Sequence, residues 1–217
     1  MPLDEKAITT AIKEAKEKSK KRNFTQSIEV VVNLQDIDMK SPGGRIQERI
    51  ELPHPLPEKP NKICVLASGE LALKARRAKV NLVIEKSELQ GLAGKKKELR
   101  KIANEYDFFI AEAPLMPLVG KIMGPALGPR GKMPVPVPPT ADITSLTNKY
   151  RKMVFVRMRN QPVIRCRVGT ESMKDEEITE NLQAVLRVLE RKLKRGIKNI
   201  KSINIKTSMG TPVKISA

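Results

Sequence analysis

The sequence predicts a mixed α/β protein of two domains. An α+β domain is assembled from both chain ends, residues 1–60 and 154–217, and an α/β domain of residues 61–153 is inserted between them. Three observations lead there. Both ends carry strands in which apolar and polar residues alternate, with amphipathic helices beside them. In the middle, short apolar runs alternate with helical stretches, the pattern of a parallel sheet covered by helices. Between the first end and the middle lies LPHPLPEKPN, whose Pro53, Pro55, Pro57 and Pro60 exclude helix and central strand. A chain of 217 residues holds one large or two small domains, and its 40% apolar content suffices for packed cores.

In chain order, the first element is a helix over about residues 4–21. Asp4 is its expected N-cap, and Ile8 and Ile12 with Ala7, Ala11 and Ala15 form its apolar stripe. Lys18, Lys20, Lys21 and Arg22 suit the negative end of its dipole. In FTQSIEVVVNL, Ile28, Val30, Val32 and Leu34 alternate with Glu29, Val31 and Asn33, so a half-buried strand follows. SPGGR reads as a turn, and IQERIEL as the hairpin partner of that strand. After the proline-rich connector come a strand in ICVLA, a helix through LALKARRA, a strand in VNLVIE, a largely helical SELQGLAGKKKELRKIANEY and a strand in DFFIAEA. PLVGKIMG, a loop GPALGPRGK and the segment MPVPVPPT extend this part, and a short helix from Asp142 or Thr144 toward Tyr150 closes it. VFVRMR and VIRCRV read as a hairpin around Asn160, Gln161 and Pro162. A helix over about residues 174–195 places Ile178, Leu182, Val185, Leu189 and Leu193 on one face. Asp175, Glu176 and Glu177 at its start and Arg191, Lys192, Lys194 and Arg195 at its end match its dipole, and Gly196 is its expected stop. IKSINIKTSM alternates as a last long strand, and Gly210 breaks it before VKIS.

Charge narrows the function. The chain has 42 Lys and Arg against 24 Asp and Glu, a net +18. Residues 1–60 hold 11 basic and 10 acidic side chains, residues 61–153 hold 17 and 8, and residues 154–217 hold 14 and 6. Basic faces concentrated in two stretches fit a nucleic-acid backbone, whose counterions they release. No apolar run reaches a membrane span, no long basic helix carries bulky aromatics, and MPLDEK lacks a signal-peptide core, so neither membrane nor secretion is expected. Cys64 and Cys166 lie far apart without a ligand pattern and read as buried, reduced thiols.

Catalytic chemistry finds no constellation. His54, the single histidine, sits between Pro53 and Pro55, a poor place to hold a general base. The glycine- and proline-rich loop 124–132, with Arg130 and Lys132, could wrap an anion with its backbone N–H groups. It is not a Walker loop, because Ala126 and Met133 stand where Gly and Ser or Thr are needed; a structural loop facing solvent or RNA is the plainer reading. Phe24, beside Arg22 and Asn23 where a basic helix meets a strand, could pack on ribose or base, and position alone equally allows a staple of helix on sheet. Thr207, Ser208, Met209 and Gly210 would let an RNA backbone approach and bond its 2′-hydroxyls, although spacing alone favours an ordinary strand end.

Taken together, NFTQSIEV after a basic helix, the loop GPALGPRGKMPVPV, the turn VGTESM before a long helix and the closing KTSMG resemble the large-subunit ribosomal protein L one family. The wording SIEVVVNLQDIDMK and HPLPEKP is similar to its archaeal form, and the likeness runs over about residues 4–215. Val135 stands where the bacterial loop has Asn. The resemblance implies a discontinuous RNA-binding domain and an inserted Rossmann-like α/β domain. It implies a non-enzymatic protein of the cytoplasmic ribosome, without cofactor or metal and monomeric off the ribosome. The implied partners are the stalk region of large-subunit ribosomal RNA, the leader of the protein's own messenger, which it represses, and the exit-site tRNA, whose release it assists.

The resemblance also assigns residues. Phe24 matches an RNA-contacting phenylalanine, Ser27 keeps a hydroxyl where bacterial relatives have Thr, and Glu14 matches an acid of the first helix. Ser202, Ser208, Met209 and Gly210 match a recognition strand, and Arg165 stands where bacterial relatives have His. Charge and position add Arg167, Lys206 and Lys20, and leave Arg130 and Lys132 as a secondary basic loop. The proline-rich segments near 53–60 and 134–139 are expected to act as hinges or struts.

Overall fold

The computed structural model describes residues 5–39 and 45–215. In chain order its elements are α1 (Glu5–Glu17), β1 (Ser27–Leu34), β2 (Gln47–Glu51), β3 (Ile63–Leu66), α2 (Gly69–Arg77), β4 (Leu82–Ile84), α3 (Lys86–Gly91), α4 (Lys96–Glu105), β5 (Phe108–Glu112), α5 (Met116–Leu127), β6 (Val135–Val137), α6 (Ile143–Arg151), β7 (Met153–Arg157), β8 (Val163–Thr170), α7 (Asp175–Lys192), β9 (Ile200–Thr207) and β10 (Val213–Lys214). The fold class is α/β. The chain divides into two compact units, one of residues 1–59 with 152–217 and one of residues 60–151.

In the first unit an antiparallel sheet runs in the order β10-β9-β1-β8. Its inward residues come from β1 (Ile28, Val30, Val32), β8 (Ile164, Val168) and β9 (Ile203, Ile205). They share one core with Ile8 and Ile12 of α1 and with Ile178, Leu182, Val185 and Leu189 of α7. Both helices therefore lie on one face, and the alternate residues of every strand face away from the core. β1 is the central strand of its neighbourhood, paired through Val30 with Cys166 on one side and Ile205 on the other.

The strand pairing corrects two expectations. β2 is not the hairpin partner of β1, because both edges of β1 are taken; it pairs instead with β7, Ile50 opposite Val154. β7 and β8 form no hairpin ladder either: β8 is the edge strand beside β1, and β7 completes with β2 a separate two-stranded sheet whose Ile50, Val154 and Val156 enter the same core. The SPGG turn and the Asp4 cap lie outside the described residues. α1 ends at Glu17, earlier than expected, so Lys20, Lys21 and Arg22 lie past it. The chain is drawn off the helix axis at Ser19, whose hydroxyl accepts bonds from Gln26 at 2.7 Å and Thr207 at 2.9 Å. α7 likewise ends at Lys192, and Gly196, at a φ of +56°, opens a 3-10 turn over Gly196–Asn199 rather than stopping the helix.

The proline-rich connector does not behave as a free spacer. Leu52 and Leu56 are buried in the first core. The His54 backbone is clamped by the side chain of Asn181 on α7, N–H to Oδ1 at 2.9 Å and Nδ2–H to the His54 carbonyl at 3.1 Å.

The second unit is a parallel sheet in the order β4-β3-β5-β6. Cys64, Leu66, Phe109 and Ala111 face a core with Leu89 of α3, Leu99 and Ala103 of α4, and Val119, Met123 and Leu127 of α5. On the other side α2 and α6 pack together, and Phe108 meets Tyr150 of α6 at 5.4 Å between ring centres. Both faces are covered, as a parallel sheet requires. Two expectations are corrected here. GPAL is helical, not loop: Ala126 and Leu127 continue the buried stripe of α5, so the loop starts at Gly128 despite Pro125 inside the helix. Residues 134–139 are no hinge, because Val135–Val137 pairs with β5 as an edge strand, where a proline is tolerated. As expected, Asp142 starts α6, its carboxylate accepting the Thr144 N–H at 3.0 Å.

Candidate nucleic-acid interface

The open face of the four-stranded sheet follows from its register. Outward residues are Arg165 and Arg167 on β8, Glu29, Val31 and Asn33 on β1, Ser202, Asn204 and Lys206 on β9, and Lys214 on β10. The ladder sets Glu29 between Arg167 and Lys206, and Val31 between Arg165 and Asn204. Asn33 donates to the Ser202 hydroxyl at 2.8 Å, which leaves that hydroxyl its own proton to donate. One acid among four cations makes this face net positive, and its polar groups present both donors and acceptors.

At one end of this sheet the strands close into a polar knot. Its centre is Gln26, a side chain with no exposed surface. Its amide donates to Ser19 Oγ at 2.7 Å and to the Lys20 carbonyl at 3.1 Å, and its oxygen accepts the Met209 N–H at 3.2 Å. Its backbone N–H goes to the Glu171 carboxylate at 2.9 Å, and its carbonyl accepts the Glu171 N–H at 3.0 Å. Ser27 and Ser208 form a second clamp: Ser208 Oγ accepts the Ser27 N–H at 3.1 Å, while the Ser208 N–H reaches the Ser27 carbonyl at 2.9 Å. A buried group that lost such a partner would be costly, so each bond fixes the loop geometry.

Two apolar side chains stand out of this saturated frame. Phe24 is 50% exposed and Met209 is 63% exposed. Lys59, at the end of the proline-rich connector, holds its ammonium 5.6 Å from the Phe24 ring centre and donates to Ser27 Oγ at 3.2 Å. Next to it, the hydroxyls of Thr25 and then Ser172 hold the Glu58 carboxyl below its ordinary range. Gly210 closes the turn after β9, its N–H bonded to the Thr207 carbonyl at 3.2 Å. A Cβ there would come within 2.3 Å of Thr207 Oγ1, so the turn admits no side chain.

The structure thus gathers Phe24, Ser27, Ser208, Met209 and Gly210 at one end, and Arg165, Arg167, Ser202 and Lys206 on the adjoining open face. Glu14 lies one turn before the end of α1 and pairs with Lys18 on the helix surface. Gln26, Glu171, Lys59, Glu58 and Ser19 were missed. They carry no motif, and their meeting depends on the β1–β8 and β1–β9 registers and on the path of the connector.

Arg130 and Lys132 belong to the second unit, where both are bonded to helix ends. Lys132 donates to the Ala103 and Tyr106 carbonyls at the end of α4, 3.1 and 2.7 Å away, and burial pulls its pKa down. Arg130 donates to Asn104 at 2.8 Å and to the Ala126 carbonyl at 2.9 Å. This unit also has the crevice where sheets of its kind take ligands, outside the carboxyl ends of β3 and β5 at the point where strand order reverses. That 420 Å³ cavity is lined by Ser68, Glu112 and Thr140 among others. Glu112, only 8% exposed, lines this crevice, its carboxylate accepting the Ser68 N–H at 2.9 Å and hydroxyl at 2.7 Å. A phosphate would meet a carboxylate there, which opposes a nucleotide site. Burial raises both thiols, Cys166 to about 12, so neither is a nucleophile at neutral pH. His54 Nε2 is bonded to Glu180 at 2.7 Å on the surface of α7.

Residues 13–211 match the model of the ribosomal protein L1p/L10e family. The chain is 49% identical to the large ribosomal subunit protein uL1 of Methanothermobacter thermautotrophicus, covering 96% of this chain and 98% of that protein. It is also 49% identical to the proteins of the same description from Pyrococcus abyssi, over 99% of this chain and 98% of that one, and Hyperthermus butylicus, over 96% and 95%. With a match over nearly its whole length, the chain belongs to the ribosomal protein L1p/L10e family.

Proposed function

We propose that this protein is a structural, non-enzymatic constituent of the large ribosomal subunit, and that it binds the stalk region of large-subunit ribosomal RNA through the Gln26-centred end of its first unit. The observation that carries this reading is the pairing of two exposed apolar side chains, Phe24 and Met209, with a frame whose own hydrogen bonds are satisfied. Such a frame holds its shape before RNA arrives, so binding orders little. Phe24 offers a ring for ribose or base, and Met209 an adaptable apolar contact. Arg165, Arg167 and Lys206 on the adjoining face supply phosphate contacts, and Ser202 a donor for a 2′-hydroxyl. Ser208 acts differently from Met209: its hydroxyl is engaged with Ser27, so it shapes the loop rather than touching RNA. Glu14 acts on RNA or on its neighbours at the end of α1. A messenger leader that copies the stalk shape would use the same surface, which makes the protein a repressor of its own translation. Carrying deacylated tRNA from the exit site is the role of the assembled stalk, with the protein itself monomeric off the ribosome.

The test compares a stalk ribosomal RNA fragment with a scrambled RNA of equal length across a salt series. A preference of about a thousandfold near physiological salt is expected. Met209→Ala should lower that preference about tenfold or more while leaving thermal stability unchanged, and Lys206→Ala should mainly reduce the salt slope, by about one. Equal binding of both RNAs by the unaltered protein would refute the assignment.

A further inference from the structure

We propose that α4 of the second unit is a second, sequence-independent RNA contact, a stripe of cations that meets phosphate backbone; this extends the RNA-binding reading above and rests on it. Leu99 and Ala103 bury one face of the helix. Lys97, Arg100, Lys101 and Asn104 follow at intervals of three and four and share the opposite, exposed face. The stripe is about 10 Å long. Arg130 extends it, because its Nε is bonded to Asn104. The two acids of α4 border this face beside Lys101, three residues before it and four after it, and are engaged with other cations, Glu98 with Lys95 at 3.7 Å and Glu105 with Lys62 at 3.3 Å. Among the described residues no acid pairs with Lys97, Arg100 or Lys101.

Two contrasts within the molecule give the stripe meaning. On α2, Lys74 pairs with Glu70 and Arg76 with Glu85, both at 2.7 Å, so most of its charge is balanced inside the fold. α7 starts with Asp175, Glu176 and Glu177 and ends with Arg191 and Lys192, as its dipole favours. α4 does the reverse, with Lys95, Lys96 and Lys97 crowding the positive end of its dipole. A local arrangement that opposes helix stability, with no compensating pair for Lys97, marks a surface kept for a partner. The partner is an RNA backbone rather than an acidic protein. No large apolar side chain is exposed on α4, whereas protein interfaces are anchored by buried aromatic or aliphatic groups. Charge without an apolar anchor suits phosphates, which fix position without reading sequence.

The experiment uses the whole protein and two RNAs, the stalk fragment and an unrelated RNA duplex, each in a salt series. A triple variant Lys97→Ala, Arg100→Ala, Lys101→Ala is compared with Lys74→Ala, Arg76→Ala, Arg77→Ala on α2. All six side chains are exposed and alanine favours helix, and circular dichroism verifies both folds. The α4 triple should lower the salt slope for the duplex by about two to three and weaken binding at least tenfold near 0.1 M salt, and the α2 triple by about one. The preference for stalk over duplex should not fall. An α4 triple that binds the duplex like the unaltered protein, or like the α2 triple, overturns the inference. An α4 triple that retains all RNA binding but loses capture of an acidic protein overturns it in favour of that partner. Loss of stalk preference in Met209→Ala tests the recognition end separately, so either claim can fail alone.

Discussion

The two sheets of this protein differ in how their helices cover them, and so in which face each leaves open. The parallel sheet of the second unit has helices on both faces, and the crevice at its strand ends is lined by the Glu112 carboxylate, bonded to Ser68. The antiparallel sheet of the first unit has helices on one face only, so its other face is left with Arg165, Arg167, Asn33, Ser202 and Lys206. In the antiparallel sheet the helix-bearing stretches, α1 before β1 and α7 between β8 and β9, both pack on one face, whereas the helices joining the parallel strands fall on both. The proposed recognition surface therefore lies on the unit whose sheet leaves a face uncovered, while the other unit covers both faces of its sheet.

The largest effect should come from the two cores. Leu182→Ala on α7 and Leu127→Ala on α5 each remove a fully buried side chain, and each should cost about 2–5 kcal/mol in denaturant unfolding. Only Leu182→Ala should impair stalk preference, since it loosens the helix beneath the open sheet. Equal impairment by both would break the division of labour between the units.

Next comes Gln26→Leu, which keeps the volume and deletes the hub. It strands the Met209 N–H and the Ser19 and Glu171 partners, so stability should fall by about 1–3 kcal/mol. Stalk preference should fall at least tenfold, because Met209 loses its anchor. A variant that unfolds earlier yet discriminates as before would show that the knot is structural only.

The smallest effect is acid sensitivity of the same end. The Glu58 pKa lies below its ordinary 4.5, chiefly through the Thr25 and Ser172 hydroxyls. A depressed carboxylate stabilises the fold above its unfolded pKa and loses that contribution as pH falls through the folded value. Between pH 6 and 5 the unaltered protein and Glu58→Gln should therefore keep a constant stability difference, which narrows below 4.5. A difference that stays constant down to pH 3 would remove Glu58 from the knot.

Much of the architecture was legible before the structure. Local alternation placed β1, β8 and β9, because one face of each is buried and the period of two is written in their residues. The heptad-like steps placed α7, and the four prolines placed the break before the second unit. Partnership was not legible. IQERIEL reads as the mate of β1 until β8 and β9 occupy both its edges, and VFVRMR reads as the mate of VIRCRV until β2 claims it. GPAL reads as loop because its Gly and Pro outweigh Ala126 and Leu127 in any local count, yet the core rewards burying those two. At the candidate site, Phe24, Met209 and Gly210 were readable from motif and resemblance.

What the sequence by itself determined, then, is whatever depends on neighbours in the chain: periodicity, helix-end charges, breaks, the positive charge and the family motifs. Tertiary structure decided what depends on closing long loops. Gln26 meets Glu171 across 145 positions and Met209 across 183, and Lys59 reaches Phe24 only because the proline-rich segment is clamped to Asn181. Those contacts form only once two strand registers and the path of the connector are fixed together, and their free energy comes from desolvated hydrogen bonds that no local window of sequence contains.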